Sequence, residues 1–419
     1  MFKTLANAWK IEDLRKKILY TLLILLVYRI GITIPVPGVN AAYVAERVGS
    51  YTALEFLNMM SGGGLENMSI FALGISPYLN ASIVMNLLTI AISALERLSK
   101  EGEEGQEKIS KITRYVAVGL GLIQAIGIIW GLGDSAVQST DLFNYITIFL
   151  CLTAGTALMM WLAEQIDQKG IGNGISLIIF AGLVAQVPSQ VISLATAVIN
   201  GELSILGIIL VIIGILVIIT AITFVDQAER RVPVQYSKRV VGRKMYGGQS
   251  TYIPIKVNQS GVMPIIFAMT FVQFPAMIAQ FWPNSAFYTW YTRFLGTGSI
   301  LYAIIYALLI IFFTYFYSQI AFNPIDVSKN IQQYGGFIPG IRAGKPTSDY
   351  LNKILVRLTL FGAVFLAILA VIPTLFTKIT SLTSTFSATG LLIMVSTALE
   401  TAQLLEAQMM MRHYKGFLN

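Results

Sequence analysis

Residues 54–94, LEFLNMMSGGGLENMSIFALGISPYLNASIVMNLLTIAISA, form an apolar run about twice as long as the ~20 residues a helix needs to cross a bilayer. The run is also broken, by Glu55, Glu66, the glycines Gly62-Gly63-Gly64 and Pro77. Residues 54–75 are too polar and irregular to face lipid, whereas Ser76 to Ala94 reads as a shortened crossing helix. Irregular backbone at membrane depth is tolerated only where protein buries it or a water-filled cavity meets it. The stretch therefore predicts a segment, 54–75, folded back into the interior of a helical bundle. The competing reading is an outside loop with a short helix.

The rest of the chain supplies that bundle. It is 55% hydrophobic and 12% charged, with mean hydropathy +0.70, where a soluble domain carries about 25% charged residues. Such a chain cannot cover itself in water. Apolar runs place spans at about 18–36, 76–94, 114–133, 142–163, 173–193, 204–225, 259–282, 299–321, 356–376 and 387–405. Of 29 Lys and Arg residues, 25 lie in the N-terminal arm, the tail and alternate gaps between spans or, as Arg114 and Arg357, at the span ends that border those gaps. The other gaps hold only Arg47, Arg293 and Lys378, and Arg29 lies inside a span. This is the positive-inside pattern, and it puts both termini on the cytoplasmic side of the cytoplasmic membrane. Residues 1–17 read as an amphipathic surface segment with Trp9 at the interface, and 406–419 as a polar tail. The first apolar run lacks a cleavage site and is expected to be retained. Ten spans divide as 18–193 and 204–405. An odd number per half gives the halves opposite orientation, hence an all-α membrane protein of ten helices in two inverted, pseudo-symmetric halves.

The net charge of +8 sits in loops on one face, chiefly 226–258 and 322–355. Two partners fit it better than DNA: anionic lipid head groups, or a large anionic body docking on the cytoplasmic face. Enzyme chemistry finds no support. One cysteine, Cys151, and one histidine, His413, leave no thiolate or imidazole site for a metal. No nucleophile has a base beside it, and no phosphate-binding glycine loop precedes a Lys-Ser or Lys-Thr pair. No catalytic residue, metal or cofactor is expected. An ion-coupled transporter of a small solute remains the alternative, but the spans are nearly empty of the ionisable residues it would use.

Several segments, in order, resemble the SecY family of protein-conducting channels. They are Tyr28-Arg29-Ile30-Gly31 with Ile34-Pro35-Val36-Pro37-Gly38, and Phe71-Ala72-Leu73-Gly74-Ile75-Ser76-Pro77-Tyr78 with Ala81-Ser82-Ile83. Next come Trp161-Leu162-Ala163-Glu164-Gln165-Ile166 and Gly170-Ile171-Gly172-Asn173-Gly174-Ile175-Ser176. Then follow Gln249-Ser250-Thr251, Lys256-Val257-Asn258, Phe322-Asn323-Pro324 and Ile338-Pro339-Gly340-Ile341-Arg342.

The resemblance implies a clamshell of spans 1–5 and 6–10 around an hourglass pore for unfolded secretory and membrane polypeptides. It makes 54–75 the plug, with Ser61, Gly62, Gly63 and Gly64 as its flexible part. The constriction ring it implies is Ile75, Leu79, Ile175, Ile179, Ile266 and Ile393. A narrow aliphatic collar gates by dewetting and offers a passing chain no deep well. Apolar segments would leave sideways between spans 2–3 and 7–8, with Asn80, Thr270 and Gln273 at that seam. The partners implied are small SecE-like and SecG-like membrane subunits, the SecA ATPase and the ribosome. The last two would dock on Arg342, with Arg230, Arg231, Lys238 and Arg239 in support. Two departures stand out: residues 101–107 are acidic, with Gln106-Glu107 where the family often has basic residues, and Ala343 replaces the proline usual after the arginine.

Overall fold

Backbone groups in lipid must be satisfied within their own segment, so long uncharged runs become helices. The computed structural model of the chain describes residues 7–48, 52–200, 205–236, 239–241, 244–246, 250–280, 285–296, 299–380 and 388–415. Among them six helices are long and apolar enough to cross a membrane, or seven counting one bent pair.

The N-terminal half holds α1 (Glu12–Ile32), α2 (Ala41–Val48), α3 (Thr52–Met60), α4 (Ser76–Ala91), α5 (Ser93–Lys100), α6 (Glu103–Leu132), α7 (Leu142–Lys169) and α8 (Gly174–Ile199). The C-terminal half holds α9 (Ile205–Gln227), α10 (Met263–Gln280), α11 (Ala286–Leu295), α12 (Ile300–Ala321), α13 (Pro324–Gln333), α14 (Lys345–Thr380) and α15 (Ala388–Lys415). The two halves meet along α10, which packs on α4 and α6, and along α15, which packs on α8.

Several boundaries differ from the hydropathy reading for physical reasons. The chain bends by 100° between α4 and α5, at Ile92, whose backbone is extended. This turns Glu96, Arg97 and Lys100 out of the apolar layer. The acidic 101–107 stretch is mostly the N-terminal turn of α6. Glu103 and Glu104 sit where the helix dipole favours carboxylates, and Glu104 and Glu107 pair with Lys108 and Lys111 one turn on. At 1.5 Å per residue, α14's 36 residues span about 54 Å, well beyond a ~30 Å hydrocarbon core. Its polar first turns pack against α13.

The membrane part is helical, but the basic loops are not plain coil. Strands β1 (Glu229–Tyr236) and β4 (Ser250–Lys256) pair antiparallel, and β2 (Arg239–Val241) pairs with β3 (Lys244–Tyr246) between them. Strand β5 (Gly336–Phe337), from the other long loop, joins the free edge of β1. Val232, Val234 and Ile255 from the first loop bury against Phe322, Ile331, Ile338, Leu351 and Leu355 from the second. The alternation of buried and exposed positions over Arg231–Gln235 of β1 is the period-2 pattern of a half-buried strand.

Candidate pore and gate

The starts of three helices bring the aliphatic residues together. Pro77, in the first turn of α4, lacks the N–H that would be orphaned there. This fixes Ile75 just before the helix and Leu79 in its first turn. At α8, Asn173 is the cap, its Oδ1 accepting from Ser176 N at 3.1 Å, while Asp167 Oδ1 accepts from Gly174 N at 2.7 Å. Ile175 and Ile179 follow on one face. Ile266 lies in the first turn of α10, and Ile393 near the described start of α15.

All six meet. Ile75, Leu79, Ile179, Ile266 and Ile393 are at most 2% exposed in one continuous apolar cluster, and Ile175 packs against it. Side chains from α4, α8, α10 and α15 thus share one apolar core.

The segment 54–75 touches the same core, but Leu54, Leu57, Leu65, Met68, Ala72 and Leu73 pack in a separate cluster with Ala125 of α6 and Ile148 and Leu152 of α7. Met60 and Phe71 belong to the cluster with the six aliphatics. Leu65, Met68 and Ser69 are fully buried, whereas Glu66 and Asn67 reach the surface. Much of the segment is thus covered by protein. Three contacts hold the segment at Ser61-Gly62. Tyr28 Oη donates to the Ser61 carbonyl at 3.0 Å, and Arg29 Nη1 donates to the Gly62 carbonyl at 3.2 Å. Gly62 also lies against Gly182 of α8, so close that a Cβ on either would sit within about 3 Å of the other's Cα. Gly62 and Gly63 have φ of +68° and +91°, values that suit glycine. Farther along, Ile70 N donates to Ile34 O and Val36 N to Met68 O, a short ladder onto the end of α1. Arg29, unassigned from sequence, is thus a backbone clamp. Nothing local announces this, because its partner lies 33 residues away.

At the seam, Asn80 is buried on α4 and Thr270 half-buried on α10. Gln273 is described only by its backbone position in α10. A polar bridge that the sequence reading missed spans this region. Asn86 Nδ2 of α4 donates to Tyr317 Oη of α12 at 3.2 Å. Tyr317 also packs on Phe267 of α10, with ring centroids 4.8 Å apart.

On the basic face, Arg342 is exposed between two left-handed glycines, Gly340 and Gly344. Its carbonyl accepts from Thr347 Oγ1 at 2.8 Å, which fixes the loop tip despite Ala343. Arg230 and Arg231 are exposed on β1. Arg231 lies over the Tyr252 ring at 4.8 Å. It also donates to Glu229, at 2.7 Å, and this bond raises its pKa further above the ordinary value. Arg239 is placed by its backbone in β2, and Lys238 lies outside the described residues.

Comparison with known proteins converges on one family. Residues 69–402 match the SecY family. Protein translocase subunits SecY of Streptomyces galbus and Halalkalibacterium halodurans are 42% and 45% identical, each aligned over all of both chains. The Mycobacterium tuberculosis protein of that name is 40% identical over the same full extent. Among solved structures, a protein-conducting channel superposes with TM-score 0.67 at 18% identity, covering 94% of this chain and 92% of its own. A second, from work on the SecY plug domain and the closed channel, gives TM-score 0.67 at 20% identity and the same coverage. Canine Sec61 in a ribosome–channel complex gives 0.63 at 17% identity, over 94% of this chain and 92% of its own.

Proposed function

The chain belongs to the SecY family, and from this membership and the buried collar we propose how it works as the multi-pass, protein-conducting subunit of a translocase. Ten crossings in two inverted halves, with both termini in the cytoplasm, enclose the path. Residues 1–17 lie on the cytoplasmic surface of the cytoplasmic membrane. Ile75, Leu79, Ile175, Ile179, Ile266 and Ile393 form the constriction, and the segment 54–75 is the plug beneath it.

One observation carries this reading: bulky aliphatics from four helices of both halves lie in one continuous buried apolar cluster. Fully exposing such a side chain costs about 1.5–3 kcal/mol, so wetting all six costs on the order of 10 kcal/mol or more. A resting collar therefore stays dry and shut. A polypeptide threading it replaces the lost contacts with its own, whatever its sequence, because aliphatic side chains accept any neighbour. A small-solute transporter needs a polar site at that depth instead, and the family match also points away from one.

The chain's residues bind, seal and yield; the driving energy comes from a partner. We assign docking of a SecA-type ATPase and of the ribosome to the exposed arginines Arg342, Arg230 and Arg231, with Lys238 and Arg239 of the same loop. Guanidinium groups suit phosphate and carboxylate surfaces. SecE-like and SecG-like subunits complete the complex, and anionic lipid meets the same basic face. Apolar segments leave between α4/α6 and α10/α12.

The decisive experiment reconstitutes the complex with the purified motor ATPase and a secretory precursor. Expected is ATP-dependent protease protection of the precursor, abolished when the collar is cross-linked shut. Transport of a small solute without precursor uptake would overturn the proposal.

A further inference from the structure

Helix α11 (Ala286–Leu295) occupies a gap predicted to lie outside the membrane, between two helices of the seam. Its residues divide three ways around the axis. At 3.6 residues per turn, Phe287, Trp290 and Phe294 fall within an arc of about 60°. Tyr288, Tyr291 and Leu295 fill a second arc of about 60°, centred roughly a third of a turn away. Thr289 and Arg293 mark the third side.

Each arc has a different environment. The second faces protein: Tyr291 is buried against Ala279, with Tyr288 and Leu295 packed alongside, and Tyr291 Oη donates to the Val272 carbonyl of α10 at 3.4 Å. The first is exposed, with Phe287 at 44%, Trp290 at 50% and Phe294 at 44%. These three rings still stack on one another, with centroids 6.4 Å and 5.8 Å apart, as one continuous aromatic surface. Arg293 is exposed beside it, its guanidinium 5.7 Å from the Phe294 ring.

A helix with one face on protein, one aromatic and one polar fits the boundary between lipid and water. Trp is enriched at this depth, with the ring in the apolar layer and the N–H toward the head groups. The surface also continues into a lipid-facing one. Ser299, the cap of α12, donates through Oγ to the Phe294 carbonyl and so locks the end of α11 to the start of α12. From there Ile300, Leu301, Ile304 and Leu308 are exposed along the span.

We propose that α11 is an interfacial anchor. Phe287, Trp290 and Phe294 seat in the outer leaflet, on the order of 5–10 Å into the head-group and acyl boundary, and Arg293 meets lipid phosphate. Because α11 is fixed to both α10 and α12, the outer end of the seam is tied to the leaflet through which apolar segments depart.

The test uses the assembled complex in phosphatidylcholine–phosphatidylglycerol vesicles, with Trp290 as the sole tryptophan (Trp9→Phe, Trp130→Phe, Trp161→Phe, Trp282→Phe). If that variant does not assemble, the difference between the natural chain and Trp290→Phe gives the same signal. Expected is loss of Trp290 emission with lipids brominated near the head group, and a smaller loss with lipids brominated near the chain ends. Quenching by aqueous acrylamide but not by bromolipid would overturn the proposal. So would protection from both quenchers, which would mean a protein cover such as a second copy or a small subunit. Stronger quenching by the deep bromines would place the helix inside the membrane and overturn it as well.

Discussion

Gly182 of α8 separates plug closure from fold stability. Its backbone faces Gly62, and a Cβ added at 182 would lie 3.0 Å from Gly62 Cα, 3.0 Å from Tyr28 Oη and 3.2 Å from Gly62 N. Two of these neighbours are backbone atoms and cannot swing aside. Tyr28 is pinned by its own hydrogen bond to Ser61. Overpacking of this kind costs about 1–3 kcal/mol. The same substitution strengthens the helix, since alanine exceeds glycine in a helix interior by about 0.8–1.0 kcal/mol. The helix gain is present whether or not the plug is seated, while the clash with the Gly62 backbone exists only when it is seated. Gly182→Ala therefore shifts the seated-to-displaced ratio by roughly 5- to 150-fold, the factor equivalent to about 1–3 kcal/mol, while the helix gain offsets part of the cost to thermal stability. The assay is ion conductance of the resting complex in planar bilayers, with no precursor present. Gly214→Ala in α9 is the control, because a Cβ there meets nothing within 4 Å. Equal conductance in the two variants would refute the reasoning, whether both leak or neither does.

At the collar, Ile266→Ala removes about 2–5 kcal/mol of packing and opens a gap in the ring, so resting ion leak rises; unchanged conductance removes Ile266 from the constriction. Loss of the Tyr28 hydroxyl in Tyr28→Phe costs the Ser61 carbonyl a bond worth about 0.5–1.5 kcal/mol, giving a smaller leak than Gly182→Ala in the same recording. In Asn86→Leu the bridge to Tyr317 is lost. Photocrosslinking of an apolar segment to lipid should then run roughly two- to tenfold faster, the equivalent of one hydrogen bond, and a slower rate contradicts a latch at the seam. Arg342→Glu should weaken motor-driven secretion while the chain still inserts and assembles, and full secretion withdraws the docking assignment.

What the sequence made legible is what short-range chemistry decides. The helical bundle follows from twenty-residue apolar runs and from the alternation of basic gaps. The buried course of 54–75 follows from Glu66 and Gly62–Gly64 interrupting a run that lipid would not accept. The collar is a mixed case. Pro77 and Asn173 mark two of its helix starts locally, but aliphatics four residues apart are ordinary on any buried helix. Only the resemblance singled them out, and only the fold brings Ile266 and Ile393 beside them.

The unread features are all long-range, and they are the ones that would couple parts together. Tyr28 and Arg29 reach 33 residues to the plug, and Asn86 reaches 231 residues to Tyr317. Strand β1 takes β5 from another loop at an edge that no hydropathy window exposes. That last contact has a mechanical meaning. A load on Arg342 acts on the loop that carries β5, and β5 is paired to β1, which follows α9 directly. On the proposed reading, a partner pressing on one basic loop would engage both, and through β4 it would reach the start of α10, where Ile266 lies in the buried apolar cluster. The sheet would give the proposed docking face a short, stiff connection to the proposed constriction, which two independent flexible loops would not provide.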